Sequence, residues 1–341
     1  MLYLKCSDVP NVFAVEHSKL HPSVVQLGVK YASGTVRGGN SRCRAMLNVF
    51  LQVLDDYQPP TGEDYRSHLD SNVLKPSFTF WTVHCRPHSV SMGNAFTFCK
   101  TAVASLDRDL PWNEARKLVQ ETIQQYMRER LDYADQAIAQ QALKKIESGD
   151  VILTFGDSQA VLVLLETAKK SKDFFVWVVD APPLWEGKEM LARLQSFGIS
   201  CGYINLNALT YVMKKVTKVF LGASALMSNG SVFGRVGTAC VALLAKDHHI
   251  PVLVCCETYK ISNRVQLESI TQNELGNPKA ISVSSEALSN WEDAPNLKLL
   301  HLLYDVTPSE FVSGIVTEVG IIPPTSVAVL LREMNPEDSN Y

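Results

Sequence analysis

The segment VILTFGDSQAVLVLLETAKKSKDFFVWVVD, residues 151–180, decides the fold. It opens with an apolar run at Val151–Phe155, continues with a helical pattern over residues 158–170, and ends in a second apolar run at residues 174–179. Short apolar runs separated by an amphipathic helix indicate parallel strands that are buried on both faces of a sheet. We therefore predict a strand–helix–strand unit at this point of the chain.

The same alternation continues towards the C-terminus. We predict that residues 149–335 form an α/β domain with a Rossmann-like, doubly wound, mostly parallel sheet, followed by a tail at residues 336–341. Ligands of such sheets lie outside the carboxyl ends of the strands, so the turns after the strands are where function is to be sought. The further segments are helical patterns at residues 187–197 and 235–247 and apolar runs at residues 202–206, 216–221 and 251–255.

The N-terminal part of the chain shows a different pattern. Apolar residues recur at helical spacing over residues 21–32 and 41–57, and a Pro-Pro-Thr-Gly segment follows, which predicts a helical bundle over residues 1–111. Residues 112–148 contain neither proline nor glycine and repeat mostly apolar residues every four positions. We predict that they form one long helix, which ends at Gly149 and joins the bundle to the α/β domain.

The composition argues against several classes of function. The chain of 341 residues has a formal net charge of -3, so it lacks the overall basic field that binds nucleic acid through its phosphates. No apolar run approaches the roughly 20 residues that span a bilayer, and the first residues lack a signal-peptide pattern. We expect a cytoplasmic, cytosolic protein that binds neither nucleic acid nor membrane.

The eight cysteines lie mostly in apolar segments, and no two of them form a C-x-x-C pair. This arrangement predicts reduced core cysteines and no zinc site. The sequence contains no glycine-rich dinucleotide or P-loop motif and no metalloprotease or serine-hydrolase motif. We therefore expect no metal and no cofactor.

Six short segments fall at predicted strand ends and loops. They are VRGG at 36–39, CRP at 85–87, TFGD at 154–157, GAS at 222–224, NGSV at 229–232 with RVGT at 235–238, and YDVTP at 304–308. In this order they resemble the family that unites methylthioribose-1-phosphate isomerases, ribose-1,5-bisphosphate isomerases and the alpha, beta and delta subunits of initiation factor 2B. The resemblance runs from about residue 21 to about residue 332.

The resemblance also indicates which catalytic groups are missing. The isomerases carry a Thr-His-Cys-Asn turn and a Gly-Ala-Asp turn, whereas this chain has Gly156 and Ser224 at the thiol and carboxylate positions. Moving a proton between adjacent sugar carbons needs such an acid and base. Glu186 stands where the isomerases carry an amide, and its charge would repel a phosphorylated sugar. We therefore expect no catalytic residues.

Other residues of the family's site are kept and imply a vestigial phosphate pocket, because guanidinium groups suit phosphate oxygens. The alternative is that these arginines pair with Asp157, Asp180 or Glu186 and hold the domains together. The predicted pocket comprises Arg37, Arg86, Gly156, Asp157, Glu186, Ser224, Asn229, Arg235 and Asp305.

We also predict that the strand at Asp305 leads into a helix capped by Thr307.

Two longer segments, RPHSVSMGNA at 86–95 and VLVCCETYK at 252–260, resemble the delta branch of the family more than the beta branch. This resemblance implies a regulatory, non-catalytic subunit of the guanine-nucleotide exchange factor for translation initiation factor 2, a subunit that senses the stress-induced phosphorylation of its substrate. The implied partners are the beta, alpha, gamma and epsilon subunits of initiation factor 2B and the alpha subunit of initiation factor 2, phosphorylated or not. We predict that Arg37, Arg42 and Arg44 contact initiation factor 2.

Two other functions stay open. The first is a working sugar-phosphate isomerase that uses Asp157 or Asp305 as its carboxylate, and the second is a sensor that binds a sugar phosphate or a nucleotide. Turnover of a phosphorylated sugar would favour the isomerase, and thermal stabilisation by a ligand would favour the sensor.

Overall fold

The computed structural model describes residues 20–267, 269, 273–283 and 286–334. The chain divides into two compact units, and the division falls between Tyr133 and Ala134. The unit up to Tyr133 is helical, and the unit from Ala134 onwards contains the sheets. Within the described ranges, no helix is long and apolar enough to cross a membrane.

The helical unit is built around a core of aromatic side chains. The indole of Trp81 is fully buried, its ring centroid lies 5.3 Å from that of Phe50, and its Nε1 donates to the carbonyl of Val24 at 2.8 Å. A helical bundle is thus confirmed over residues 20–111, whereas residues 1–19 of the prediction and the predicted tail at 336–341 lie outside the described residues. Its helices are α1 (Pro22–Ala32), α2 (Gly39–Asp56), α3 (Tyr65–His68), α4 (Lys75–Thr79), α5 (Val90–Ala104) and α6 (Trp112–Tyr126), with π-helical segments at Leu69–Leu74 and Phe80–Cys85.

The long helix predicted over residues 112–148 is observed as a helical run that ends five residues earlier, at Leu143. After α6 the chain continues as a π-helical segment, Met127–Tyr133, and as α7 (Ala134–Leu143), so the boundary between the units falls inside the helical run. The helix ends at Leu143 because the chain turns towards the first strand, where the Asp150 carboxylate accepts from the amide of Glu147 at 2.7 Å. The recurrence of mostly apolar residues every four positions does not reveal the turn that follows Leu143.

The sheet unit alternates strands and helices as predicted. Its strands are β1 (Val151–Phe155), β2 (Phe175–Asp180), β3 (Ser200–Asn205), β4 (Lys218–Gly222), β5 (Ala225–Met227), β6 (Val232–Arg235), β7 (Val252–Cys255), β8 (Ile261–Ser262), β9 (Tyr304–Thr307), β10 (Gly314–Thr317) and β11 (Gly320–Ile322). Its further helices are α8 (Gln159–Lys169), α9 (Gly187–Ser196), α10 (Leu209–Met213), α11 (Thr238–Asp247), α12 (Lys279–Ser282) and α13 (Val327–Met334).

Seven strands form the main sheet in the order β11-β10-β7-β4-β1-β2-β3. All pairs are parallel except β10 with β11. Read from β3, the six parallel strands follow the doubly wound order, with the change of direction between β1 and β4. Both faces are buried, since Ile152 belongs to one apolar cluster and Leu153 to the other. The Rossmann-like prediction is confirmed.

A second, four-stranded sheet in the order β8-β5-β6-β9 was not predicted. Its hairpin turns at Asn229 and Gly230, where the Asn229 side-chain oxygen accepts from the amide of Ser231 at 3.1 Å. Gly230 has a φ of 80°, and a Cβ atom there would lie 2.4 Å from the carbonyl oxygen of Pro324. The turn therefore requires glycine for two reasons, conformation and space.

We expect Gly230→Ala to lower the free energy of unfolding by about 3 kcal/mol, because a methyl group adds a steric clash to the cost of a left-handed conformation. The matched control is Gly198→Ala, since Gly198 has a φ of 68° but nothing within 4 Å of its added Cβ. That control should lose only about 1 kcal/mol. Urea unfolding measures both, and equal losses would contradict the close approach at Pro324.

Candidate functional site

A cleft opens where β1 and β2 end, at the carboxyl edge of the main sheet. Its cavity volume is about 20 Å³, and its mouth is open to solvent. Three of the predicted pocket residues meet there, namely Gly156, Glu186 and Arg235. The described residues that line it are Phe155, Gly156, Asp180, Ala181, Pro182, Pro183, Leu184, Glu186, Arg235, Val236, His301 and Leu303.

Gly156 makes the turn that follows β1. Its φ is 63°, and its amide donates to the carbonyl of Val179 in the neighbouring strand at 2.9 Å. A Cβ atom built on Gly156 would meet nothing within 4 Å. The position at which the resemblance predicts the isomerase thiol thus faces open space.

Arg235 and Glu186 form an ion pair inside the cleft. Only 18% of the Arg235 side chain and 12% of the Glu186 side chain are exposed. The guanidinium carbon of Arg235 lies 5.0 Å from the centre of the Tyr304 ring. Burial opposes the charge, but Tyr304 and Glu186 outweigh it and raise the pKa of Arg235. For this arginine, the geometry matches the alternative of a structural pair.

His301 lines the cleft and was missed by the sequence analysis. Its ring is buried, and Nδ1 lies 3.0 Å from the carbonyl of Asn277, so Nδ1 carries the hydrogen and donates it. Its Nε2 and the Nη1 of Arg235 have no hydrogen-bond partner within the described part of the chain. A single histidine in a loop carries no sequence signal that would have identified it.

Asp180 also lines the cleft, but both of its oxygens are occupied. One accepts from the amide of Ala181 at 2.9 Å and the other from the hydroxyl of Tyr203 at 2.8 Å. The buried carboxylate thus holds the loop after β2 against β3. It supports the cleft without presenting a free acid or base to it.

Asp157 is paired with Arg193 of α9, a partner that the sequence analysis did not identify. Arg193 also donates to the side-chain oxygen of Gln159 at 3.0 Å. Burial raises the pKa of Asp157, although Arg193 opposes this shift. A carboxylate held by an arginine is a poor substitute for a catalytic base.

Asp305 caps the start of α11, whereas the predicted cap in this segment was Thr307, for a helix expected after β9. One of its oxygens accepts from the amides of Gly237 at 2.7 Å and Ala239 at 3.0 Å, at the start of α11. Burial raises its pKa to about 6. The prediction that Thr307 caps a following helix is wrong, because Thr307 ends β9 and only a single 3-10 turn, Ser309–Phe311, follows.

Ser224 and Asn229 belong to the β5–β6 hairpin and are not among the described residues that line the cleft. The amide of Ser224 donates to the carbonyl of Phe233 at 2.8 Å. Arg37 and Arg86 belong to the helical unit, where Nε of Arg37 donates to the carbonyl of Gly34 at 2.7 Å. A phosphate-binding role for these four residues stays a prediction.

Arg42 is not available for a surface contact with initiation factor 2, and that prediction is corrected. Its side chain is 1% exposed, lies over the ring of Tyr31 and donates to the carbonyl of Pro87 at 2.5 Å. The reason is its place in α2, on the same helical stripe as the buried Met46. Arg44, in contrast, forms an exposed pair with Asp132 at 2.6 Å.

A buried ion pair supports the turn after β4. Nζ of Lys260 lies 2.6 Å from the Glu257 carboxylate and 3.3 Å from the carbonyl of Ala223. Glu257 is fully buried. Lys260 thus links the segment after β7 to the turn after β4. Among the described residues, no group of three or more His, Cys, Asp or Glu side chains could hold a metal ion.

The sequence matches a family model described as the initiation factor 2 subunit family over residues 35–324. It is 41% identical over 339 residues to translation initiation factor eIF2B subunit delta of Dictyostelium discoideum, covering 97% of this chain and 54% of that protein. The same subunit of Schizosaccharomyces pombe is 41% identical over 323 residues, with 92% and 69% covered. The chain thus spans about half to two thirds of these relatives.

An isomerase and a solved complex are also similar to this chain. The ribose 1,5-bisphosphate isomerase of Pyrococcus furiosus is 34% identical over 322 residues, which cover 91% of this chain and 93% of that protein. The crystal structure of the tetrameric eIF2B-beta2-delta2 complex from C. thermophilum matches with a TM-score of 0.79 at 31% identity, covering 92% and 98% of the two chains.

We expect Asp305 to make stability depend on pH. Its pKa in the folded protein is raised to about 6 from an ordinary 3.8, so the stabilisation is complete below pH 3.8 and is lost as the pH rises through 6. Relative to Asp305→Asn, which does not titrate, the wild type should lose up to about 3 kcal/mol between pH 4 and pH 7.

Asp305→Ala separates this effect from capping, because it leaves the amides of Gly237 and Ala239 without an acceptor. At pH 7 it should unfold more easily than Asp305→Asn by about 1–3 kcal/mol. Denaturant unfolding at a series of pH values measures both differences. A pH-independent difference between the wild type and Asp305→Asn would contradict the raised pKa.

We expect Lys260→Met to lower the free energy of unfolding by about 3–5 kcal/mol, because it removes the cation that compensates the buried carboxylate of Glu257. Lys169→Met is the control. It removes one partner of an exposed pair, in which 93% of Asp173 is accessible, and should cost less than about 1 kcal/mol. Thermal and urea unfolding compare the two variants, and similar losses would refute a role for the buried pair.

Proposed function

The chain belongs to the initiation factor 2 subunit family, and from this premise we propose that it is a regulatory, non-catalytic subunit of the guanine-nucleotide exchange factor for translation initiation factor 2. In this role it forms part of the core that binds initiation factor 2 and senses the phosphorylation of its alpha subunit under stress. The proposed site of action is the cytosol. Identity of 41% to two delta subunits supports the assignment to that branch.

One observation carries the non-catalytic part of the proposal. The cleft at the carboxyl ends of β1 and β2 presents neither a free thiol nor a free carboxylate among its described lining residues. Gly156 leaves the thiol position empty, Glu186 is paired with Arg235, and both oxygens of Asp180 accept hydrogen bonds. An aldose–ketose proton transfer needs such a group next to the substrate carbon.

The second candidate function is the isomerase reaction itself, and the identity of 34% to a ribose 1,5-bisphosphate isomerase favours testing it. The two carboxylates proposed for it are engaged elsewhere. Asp157 is bound by Arg193, and Asp305 caps α11. We expect no turnover of ribose 1,5-bisphosphate by the purified chain under conditions in which the Pyrococcus furiosus enzyme is active.

The proposed partners are the alpha, beta, gamma and epsilon subunits of the exchange factor. The structural match to a chain of the beta2-delta2 complex supports the beta subunit in particular. Exchange catalysis belongs to the epsilon subunit with gamma in this proposal, while this chain transmits the state of the substrate. The site for the substrate is proposed on the helical unit, at Arg37 and Arg44.

The complex reconstituted from all five kinds of subunit tests this function. Inhibition of nucleotide exchange by phosphorylated initiation factor 2 should be present with this chain and lost when it is omitted, while basal exchange by gamma and epsilon remains. Native mass spectrometry should show the chain together with beta, gamma and epsilon. Full inhibition without the chain, or its absence from the complex, would refute the proposal.

Within that complex, Arg37→Glu combined with Arg44→Glu should weaken the binding of initiation factor 2 by about tenfold, as expected for reversed charges at an interface rim. Arg108→Glu is the matched control, since Arg108 is also an exposed arginine of the helical unit. Arg42 is left unchanged because it is buried. Equal affinity of the double variant and the wild type would exclude these arginines from the contact.

A further inference from the structure

The ion pair between Glu186 and Arg235 has a consequence for what the cleft can bind. We propose that Glu186 is an internal anion that occupies the guanidinium group of Arg235 and closes the cleft to phosphate and other small anions. This inference concerns the cleft alone and does not depend on the role of the chain in an exchange factor.

The charges that line the cleft argue against an anionic ligand. Arg235 supplies one positive charge, whereas Glu186 and Asp180 supply two negative charges among the described lining residues. An anion that enters such a site loses its hydration and must find a compensating cation. The cation is already paired, so the cleft repels phosphate as it stands.

The same cleft holds the parts of an anion site. Nη1 of Arg235 is buried and has no partner within the described ranges. Packing over the Tyr304 ring holds the guanidinium in place independently of Glu186. If the Glu186 charge were removed, Arg235 would offer its planar donors to a phosphate oxygen, the geometry that guanidinium groups favour.

The backbone on both sides of Glu186 fixes its carboxylate in the cleft. Trp185 has a φ of 52°, a conformation that is costly for a bulky residue and persists only where the surroundings enforce it. Its ring is covered by Lys188, whose Nζ lies 5.1 Å from the ring centre. On the other side, a Cβ on Gly187 would lie 2.8 Å from the Asp180 carboxyl carbon, so the backbone packs tightly there. The backbone of the loop after β2 therefore fixes the position from which Glu186 pairs with Arg235.

The test measures whether removing the Glu186 charge creates an anion site. Glu186→Gln is expected to gain a phosphate-dependent rise in Tm of about 3 °C between 1 and 50 mM phosphate, at constant ionic strength set with chloride and at pH 7.5. The wild type should show no such rise. Glu189→Gln is the matched control, since it removes the same charge three residues further on, at an exposed position outside the described lining of the cleft.

The double variant Glu186→Gln with Arg235→Gln assigns the new site, because it removes the cation and should abolish the gain. Glu186→Ala serves as a second variant and should gain the same response. Calorimetric titration with phosphate provides an independent readout. The proposal is overturned if neither Glu186 variant responds to phosphate, if the wild type or Glu189→Gln responds equally, or if both Glu186 variants are unfolded by circular dichroism at 20 °C.

Discussion

A parallel sheet that is buried on both faces can carry chemistry only at the ends of its strands, and the sheet unit is organised by this constraint. Ile152 and Val176 face one apolar cluster, and Leu153 and Val219 face the other. At the amino ends, Asp150 bonds to Lys218 at 2.7 Å and links the two central strands. At the carboxyl ends, the chain loops outwards and forms the cleft. Burial thus decides both where the fold is rigid and where it is open.

The main sheet could be predicted because its signals are local. The first strand was predicted with its observed bounds, Val151–Phe155, and the parallel order follows from the alternation of strands and helices. Of the second sheet only the strand at Asp305 was predicted, because its partners β5, β6 and β8 have two to four residues and show no recognisable period. Its pairing of β6 with β9 joins Val232 to Thr307 across a long stretch of chain.

The candidate site was predictable in part for the same reason. The family motifs identified Gly156, Glu186 and Arg235, which the fold does bring together. They did not identify the partners that decide what these residues do. Arg193 and His301 come from other elements, and the burial of Arg42 depends on its contacts with Tyr31 and the carbonyl of Pro87. Ion-pair partners and burial are set by the tertiary structure, whereas a sequence motif indicates only which side chains are present.

The conformation of Gly156 sets the cost of a side chain at this turn. There is room for a side chain at this position, but the backbone has a left-handed φ of 63°, which costs any residue with a Cβ atom about 1–2 kcal/mol. A cysteine introduced at position 156 would thus find space but would destabilise the turn. The turn selects glycine by its backbone conformation, and not by the space around it.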